Sequence, residues 1–302
     1  MTQSRHARRV ETPGLWGQGV ADQARKLREL MSQNEPTLAA FPAGSPRMIV
    51  LAGGKGGVGT TTLAFNFAAA MARRSQRILL VDLDLHRGEL AHLCGLPERL
   101  SIRDILESDR HLADVIQEGP GGLQILPGCW APTEVPSPTP TSSRRLVEKL
   151  FATAGAVDMI VVDAGSEPSP LSTSCWQVAE SVIVVTTPDA VSVMDSYATI
   201  KTFTAAGMEG RLFAAVNQAA SQAVTTDVFG RLQSSCQRFL GKSVGLAGQV
   251  PWDPLLSATA LPAKPVVWQS PTSPVARAIE RMATMMGNVM PQEAAAGDAI
   301  VV

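Results

Sequence analysis

The sequence predicts a doubly wound α/β domain, with a mostly parallel sheet of seven to eight strands flanked by helices. Three observations support this fold class. Apolar runs of strand length alternate with longer amphipathic segments from residue 47 onward. Several of these runs are continuous in Val, Ile and Leu, which is typical of strands buried on both faces of a parallel sheet. A glycine-rich loop separates the first apolar run from the first helical segment, as in phosphate-binding folds.

Seven apolar runs predict the strands of this sheet, and five longer segments predict its crossover helices. Thr187-Pro188 opens the third of these helices, because proline is favoured at the first helical position. The predicted strands are 48–52, 78–81, 123–126, 159–163, 181–186, 212–217 and 244–250, and the predicted helices are 61–74, 143–153, 189–205, 224–239 and 273–286.

The domain organisation predicted from composition has three parts. Residues 1–46 form a polar arm with a short helix at about 20–32, residues 47–288 form the nucleotide-binding domain, and 289–302 form a flexible tail. Val20, Ala24, Leu27 and Met31 fall on one face of the short helix. Two interpretations stay open: a helix packed on its own domain, or a peptide that docks in a partner's groove.

The composition argues against several classes of function. The net charge of −1 gives no general basic field, which argues against binding to nucleic acid. The four cysteines form no C-x-x-C pair, so a disulfide framework or structural zinc site is not expected, and the cytoplasm is the simplest compartment. The polar N-terminus lacks a signal-peptide core, and no apolar run approaches the roughly 18 residues that cross a bilayer.

The glycine loop at 53–62 is the strongest motif in the chain. Its glycines let backbone N–H groups turn toward an anion, and the following helix N-terminus favours negative charge. Thr61 is the hydroxyl expected on Mg²⁺. The pattern G-x-x-x-x-G-K-[ST] requires lysine after Gly59, but Thr60 stands there, so weaker phosphate binding and slower hydrolysis are expected, partly offset by Lys55. The predicted nucleotide contacts are Gly54, Lys55, Gly56, Gly57, Val58, Gly59, Thr60, Thr61 and Thr62.

Carboxylates follow two other predicted strands, where ligands bind in sheets of this kind. Asp82 and Asp84 follow the second predicted strand. Asp163 ends the fourth, where an apolar run is followed by one Asp, the arrangement that binds Mg²⁺. We assign Asp163, Asp82 and Thr61 to the metal, with Asp82 binding either a metal-bound water or the loop, and Asp84 to an attacking water. Each residue alone also suits a helix cap or turn, but their conjunction favours a nucleotide site.

The last two strands end in residues that suit the nucleobase. Asn217 ends the sixth, and its amide is able to read a base edge. Pro251 and Asp253 follow the seventh, near the same base. Taken alone, Asn217 is more often a turn residue.

The segment Lys55-Gly56-Gly57-Val58-Gly59-x-Thr61-Thr62 resembles the deviant Walker A motif of the MinD/ParA group of P-loop ATPases. The resemblance implies ATP/ADP and Mg²⁺ as ligands and a homodimer that closes on ATP. In that dimer Lys55 would reach the partner's nucleotide, and Asp84 would orient water.

A narrower likeness is to the FlhG subfamily (also called YlxH or FleN), which regulates flagellar number and placement. It is carried by Asp22-Gln23-Ala24-x-x-Leu27-Arg28, by Thr186-Thr187-Pro188-Asp189 and by Phe239-Leu240-Gly241. The resemblance implies that the N-terminal helix docks on FlhF, an SRP-type GTPase. The partner-binding residues would be Asp22, Gln23, Ala24, Leu27 and Arg28.

The sequence departs from the FlhG and MinD patterns at several places, and these departures leave other functions open. The Gly-Thr-Thr-Thr run at 59–62 is closer to CpaE/TadZ proteins, so a weakly hydrolysing or non-hydrolysing scaffold for pilus machinery is the second hypothesis, and whether the chain is an enzyme stays open. A ParA-type DNA-binding role is disfavoured by charge, and an iron protein by the lack of paired cysteines. The apolar stripe within 273–286 matches the membrane helix of FlhG and MinD in place, but such stripes are more often core. Peripheral contact with the inner membrane face or cell pole is therefore only weakly supported.

Overall fold

A computed structural model describes residues 44–97, 99–108, 110–129, 137–257 and 264–289. Its eight strands are β1 (Arg47–Gly53), β2 (Ile78–Asp82), β3 (Gln117–Glu118), β4 (Gln124–Leu126), β5 (Met159–Asp163), β6 (Ser181–Thr186), β7 (Arg211–Val216) and β8 (Gly245–Gln249). They form one sheet in the order β3-β4-β2-β5-β1-β6-β7-β8. Every neighbouring pair is parallel except β3 with β4. The predicted fold class is confirmed.

Helices connect these strands and cover both faces of the sheet. They are α1 (Thr60–Ala72), α2 (Glu89–Leu93), α3 (Ile102–Glu107), α4 (Leu112–Val115), α5 (Pro140–Phe151), α6 (Pro170–Val178), α7 (Ala190–Ala205), α8 (Gln222–Leu240), α9 (Pro254–Ser257), α10 (Val266–Gln269) and α11 (Pro274–Asn288). A 3₁₀ turn spans Pro120–Gly122. Helix α1 packs against α10 and α11, while α5 packs against α6 and α7 against α8.

The four central strands explain why the apolar runs are continuous. All residues of β2, β5 and β6 are buried, as are all but the first of β1. Because helices cover both faces, neither set of alternating side chains is exposed to water. Burial of this apolar surface stabilises the fold at roughly 25 cal/mol per Å².

Local sequence sets where the main helices begin. Proline follows the N-cap in α5 and α6, where Thr139 and Ser169 form capping boxes with the serines three residues later. Ser221 caps α8, and α8 ends at Gly241, which has the left-handed conformation that glycine adopts without strain.

All seven predicted strands and all five predicted helices are present, with ends shifted by a few residues. The sequence did not predict β3 or the short helices α2, α3, α4, α6, α9 and α10. Strand β3 has only two residues, and most of these helices are too short to show a helical period.

The packing of helix α11 shows whether the apolar stripe near the C-terminus is part of the core. Val275, Ile279, Met282 and Met286 are each at most 1% exposed and belong to the same core cluster as α1. The stripe is therefore core in this structure and not a free membrane-binding face. In the described part of the chain, no helix is long and apolar enough to span a bilayer.

The predicted arm up to residue 43, with its helix at about 20–32 and the partner-binding residues, falls outside the described residues, as does the tail from residue 290. The predicted boundaries of the three parts stay predictions.

Candidate nucleotide-binding site

The glycine loop joins the end of β1 to the start of α1. Gly57 (φ 82°) and Gly59 (φ 86°) both adopt left-handed conformations that favour glycine. A Cβ added at Gly56 or Gly57 would have no described atom within 4 Å, so the outer rim of the loop is open. Gly59 is the N-cap of α1 and offers no side-chain cap, which leaves first-turn N–H groups available to an anion. The loop thus has the form of a phosphate cradle.

The base of the loop is packed tightly. A Cβ at Gly54 would collide with the backbone nitrogen of Ser196 in α7. A Cβ at Gly59 would lie 2.6 Å from Asn217 Nδ2. Glycine at these two positions therefore lets the loop sit directly on α7 and on the residue after β7.

Thr60 occupies the position where a Walker A lysine would stand. It is the first residue of α1 and only 7% exposed. Its hydroxyl lies beside Gly53, since a Cβ at Gly53 would be 2.6 Å from Thr60 Oγ1. The side chain thus faces into the loop but brings no positive charge.

Lys55 forms an ion pair within its own chain. Its Nζ donates to Asp189 Oδ1 at 2.8 Å, and both side chains are partly exposed. The same carboxylate caps α7 by accepting from Ser192 N at 2.9 Å and binds the Thr187 hydroxyl at 2.6 Å. Lys55, followed by Thr187, lowers the pKa of Asp189 below its ordinary range. Lys55 must leave Asp189 before it can reach a phosphate elsewhere.

Two buried carboxylates lie side by side next to the loop. Asp82 ends β2 and Asp163 ends β5, and the two residues are partners in the register of these parallel strands. Each is 2% exposed. The Thr61 hydroxyl donates to the Asp163 carboxylate, and Gly165 N donates to Asp163 Oδ1 at 3.1 Å. Burial raises the pKa of Asp163 to about 6, although these two hydrogen bonds lower it.

One oxygen of Asp82 is left without a partner. Oδ1 accepts from Asp84 N at 2.9 Å, whereas the buried Oδ2 finds no hydrogen-bond partner among the described residues. Burial, and then the negative charge of Asp163, raise the pKa of Asp82 well above its ordinary range. An orphaned carboxylate oxygen beside a second carboxylate and the Thr61 hydroxyl is the oxygen-rich donor set that suits Mg²⁺. The residues present therefore fit the predicted metal.

The Asp84 carboxylate accepts hydrogen bonds from two backbone N–H groups. Its Oδ1 accepts from His86 N at 2.8 Å and from Arg87 N at 2.9 Å, which fixes the turn after β2. The side chain is only half-buried. The structure thus places Asp84 at the rim of the acidic pair, while its assignment to an attacking water stays a prediction.

The predicted base-contacting residues lie on the other side of β1. Asn217 Nδ2 donates to Val58 O at 2.8 Å, and its Oδ1 accepts from Gln218 N at 3.0 Å. Both ends of the amide are therefore engaged, and Nδ2 holds the loop, a role that the sequence did not reveal. The base-edge contact of Asn217 stays a prediction.

Beyond β8, Pro251 and Asp253 are partly buried, and Trp252 between them is 63% exposed. Ala219 N donates to Val250 O at 3.1 Å, which ties this segment to the residues that follow β7. The structure therefore brings Pro251 and Asp253 to the edge that carries Asn217.

Comparison with known proteins identifies related sequences and folds. A family model described as an AAA domain matches residues 46–208, which is more than half of the chain. The antiactivator FleN of Pseudomonas aeruginosa is 29% identical over 207 residues, covering 68% of this chain and 74% of FleN. The flagellum site-determining protein YlxH of Helicobacter pylori is 26% identical over 183 residues, covering 60% of this chain and 61% of YlxH.

Among solved structures, the septum site-determining protein MinD of Pyrococcus horikoshii, in complex with Mg-ADP, is similar with a TM-score of 0.67 and 25% identity. The match covers 80% of this chain and 96% of that chain. The glycine loop, Asp82, Asp84 and Asp163 all lie within residues 46–208, whereas Asn217 lies beyond them.

Proposed function

The chain belongs to the AAA-domain family, as a P-loop ATPase of the MinD/ParA type that resembles FleN and YlxH, and from this premise we propose that it is an ATP-dependent, dimerising switch that regulates the number or placement of flagella. The observation that carries the proposal is the meeting of the glycine loop with Thr61, Asp163 and Asp82 at one edge of the sheet. A phosphate cradle beside an oxygen-rich metal site is what Mg·ATP requires.

In this proposal, different residues of the chain bind the phosphates, hold the metal and orient the attacking water. N–H groups of the loop and of the first turn of α1 hold the phosphates. Thr61, Asp163 and Asp82 would hold Mg²⁺, which would supply positive charge against that of the phosphates. Asp84 orients the attacking water from the rim of the site.

Dimerisation on ATP would use Lys55. Its partly exposed ion pair with Asp189 is worth about 0–1 kcal/mol, because exposed pairs are screened by water. A phosphate of the partner's nucleotide offers more negative charge than one carboxylate, so Lys55 would exchange Asp189 for it when two copies meet.

Hydrolysis is expected to be slow. Thr60 contributes a hydroxyl where the usual motif has a charge, and phosphoryl transfer depends on charge stabilisation. The likeness to FleN and YlxH favours a flagellar regulator over the CpaE/TadZ-type scaffold, and measured turnover is what separates a slow ATPase from a non-hydrolysing scaffold.

A partner follows from the N-terminal arm. We propose that the helix at about 20–32 binds an SRP-type GTPase related to FlhF, through Gln23, Leu27 and their neighbours. A pull-down with residues 1–35 should retain that GTPase, and the Leu27→Asp variant of this peptide should not. Equal retention by both peptides would contradict the docking role.

The site of action would be the cytoplasm, with placement at a cell pole through partners. Because the stripe of α11 is buried, α11 would not act as a membrane anchor.

The function is tested by counting flagella in the source organism. Replacing the gene by its Lys55→Ala or Asp84→Ala form should change the number or position of flagella per cell. Arg281→Ala, an exposed position on α11, is the matched control and should leave both unchanged. Normal flagella in both site variants would contradict the proposed function.

A further inference from the structure

The candidate site carries an excess of negative charge. Asp82, Asp84 and Asp163 meet there, and the first residue of α2, Glu89, adds a fourth carboxylate. Glu89 is close enough for its charge to contribute to the raised pKa of Asp163. A nucleotide triphosphate brings further negative charge, which even a bound Mg²⁺ only partly cancels. The site therefore needs a cation from the protein.

The cations expected from the motif do not meet this need. Thr60 is uncharged, and within one copy Lys55 is held by Asp189 at 2.8 Å, while in the proposed dimer it would serve the partner's nucleotide. Arg103 is also occupied, because its Nε lies 2.7 Å from Glu107 Oε1. The charge has to come from another residue near the ends of β1 and β2.

Arg87 is placed to supply it. Its backbone nitrogen donates to Asp84 Oδ1 at 2.9 Å, so the turn that presents Arg87 is fixed by a carboxylate of the site itself. The residue is exposed, and within the described ranges its guanidinium forms no ion pair or hydrogen bond. Among the described residues, Arg87 thus carries an unpaired, always-charged side chain on the turn that leaves the acidic residues, where it is available to an anion.

We propose that Arg87 contacts the triphosphate of the nucleotide bound to its own chain and replaces the charge that Thr60 lacks. The inference rests on the proposed function and adds a residue that the P-loop motif does not contain. Strands β1 and β2 both pair with β5, so their ends lie about 10 Å apart, a gap that a phosphate chain and an arginine side chain span together. The planar guanidinium suits two phosphate oxygens at once.

The test is calorimetric titration of ATP, ADP and AMP, with Mg²⁺, into the full chain. Arg87→Ala should weaken ATP binding about 10- to 100-fold, as expected for loss of charge-assisted hydrogen bonds, and should leave AMP binding within about 2-fold. Arg87→Lys should recover part of the loss. Adding Thr60→Lys to Arg87→Ala should restore ATP affinity, because the lysine returns the missing charge to the same phosphates.

Controls separate the inference from the proposed function. Arg281→Ala, an exposed arginine on α11, should bind ATP like the wild type, and thermal melting should show that every variant is folded. Wild-type affinity for ATP in Arg87→Ala overturns the role of Arg87 but leaves the nucleotide site standing. If Arg87→Ala loses ATP affinity only at protein concentrations where dimers form, the contact is to the partner's nucleotide. That result overturns the inference as stated. No ATP binding by the wild type overturns the proposed function itself.

Discussion

Lys55 Nζ lies 2.8 Å from Asp189 Oδ1, in an ion pair between residues 134 positions apart in the sequence. Asp189 is also the N-cap of α7, which packs against Gly54 of the glycine loop. The structure therefore holds the lysine on its own chain. In the proposed dimer, this ion pair would compete with a contact of Lys55 to the partner's nucleotide.

Weakening this ion pair should favour the dimer. Asp189→Ser keeps a residue that can cap α7 but removes the charge that retains Lys55. The ATP-dependent dimer of this variant should form at up to about 30-fold lower protein concentration, because each dimer releases two such pairs at about 0–1 kcal/mol each. Sedimentation equilibrium with Mg·ATP measures the change. Lys55→Ala is the control and should dimerise poorly, whereas an unchanged midpoint in Asp189→Ser would show that the ion pair does not compete.

The acidic pair predicts how stability depends on pH. The pKa of Asp163 is raised from 3.8 to about 6, so the folded state binds the proton more tightly than the unfolded state. This contribution to stability is complete below pH 3.8 and is lost as pH rises through about 6. The Mg²⁺-free protein should therefore lose up to about 3 kcal/mol from this group between pH 4 and pH 7.

Thermal melting of wild type and Asp163→Asn over that pH range, with EDTA, measures this effect. The asparagine cannot ionise, so its melting temperature should fall less with rising pH, and it should be the more stable protein at pH 7. Mg·ATP should raise the melting temperature of the wild type more at pH 7 than at pH 5, because the metal binds the ionised carboxylates. Parallel pH profiles of the two proteins would contradict the raised pKa.

Restoring the lysine of the motif should raise turnover. Thr60→Lys places a positive charge in the loop, where phosphoryl transfer depends on charge stabilisation. We expect at least a 10-fold increase in ATP hydrolysis, measured as released phosphate. Thr60→Met is the matched uncharged control, and Thr60→Lys combined with Asp84→Ala should remain slow. No gain in Thr60→Lys would show that another part of the site limits catalysis.

Arg47 should be a stabilising residue far from the nucleotide. Its guanidinium binds Glu180 at 2.7 and 2.8 Å and the carbonyl of Val289 at the end of α11 at 2.9 Å. Arg47→Ala leaves the mostly buried Glu180 with Arg211 as its remaining partner and should cost about 1–3 kcal/mol. Urea unfolding measures the loss. ATP affinity should not change, and a stability equal to that of the wild type would show that α11 is held by apolar packing alone.

The sequence predicts much of this architecture because its signals are local or follow from the fold. Continuous apolar runs identify the buried strands. Asp82 and Asp163 are predicted to meet because parallel strands end at one edge, and their register pairs them directly. The glycine loop and Thr61 follow from a motif whose spacing is fixed by backbone geometry.

The remaining features depend on contacts between distant segments or on backbone detail. No local pattern pairs Lys55 with Asp189, or Asn217 with the carbonyl of Val58, 159 positions away. Arg87 does not stand out in the sequence, because its proposed role depends on a turn that the Asp84 carboxylate fixes. A core helix and a membrane-binding helix show the same apolar stripe in sequence. Only the packing of α11 against α1 shows that this stripe belongs to the core.

The central claim is that nucleotide controls the association of two copies, and the molecular mass of Asp84→Ala tests it most directly. This variant should bind ATP but hydrolyse it too slowly to reopen. Sedimentation velocity should show a dimer with Mg·ATP and a monomer with Mg·ADP or without nucleotide. The same mass in all three conditions would contradict the account.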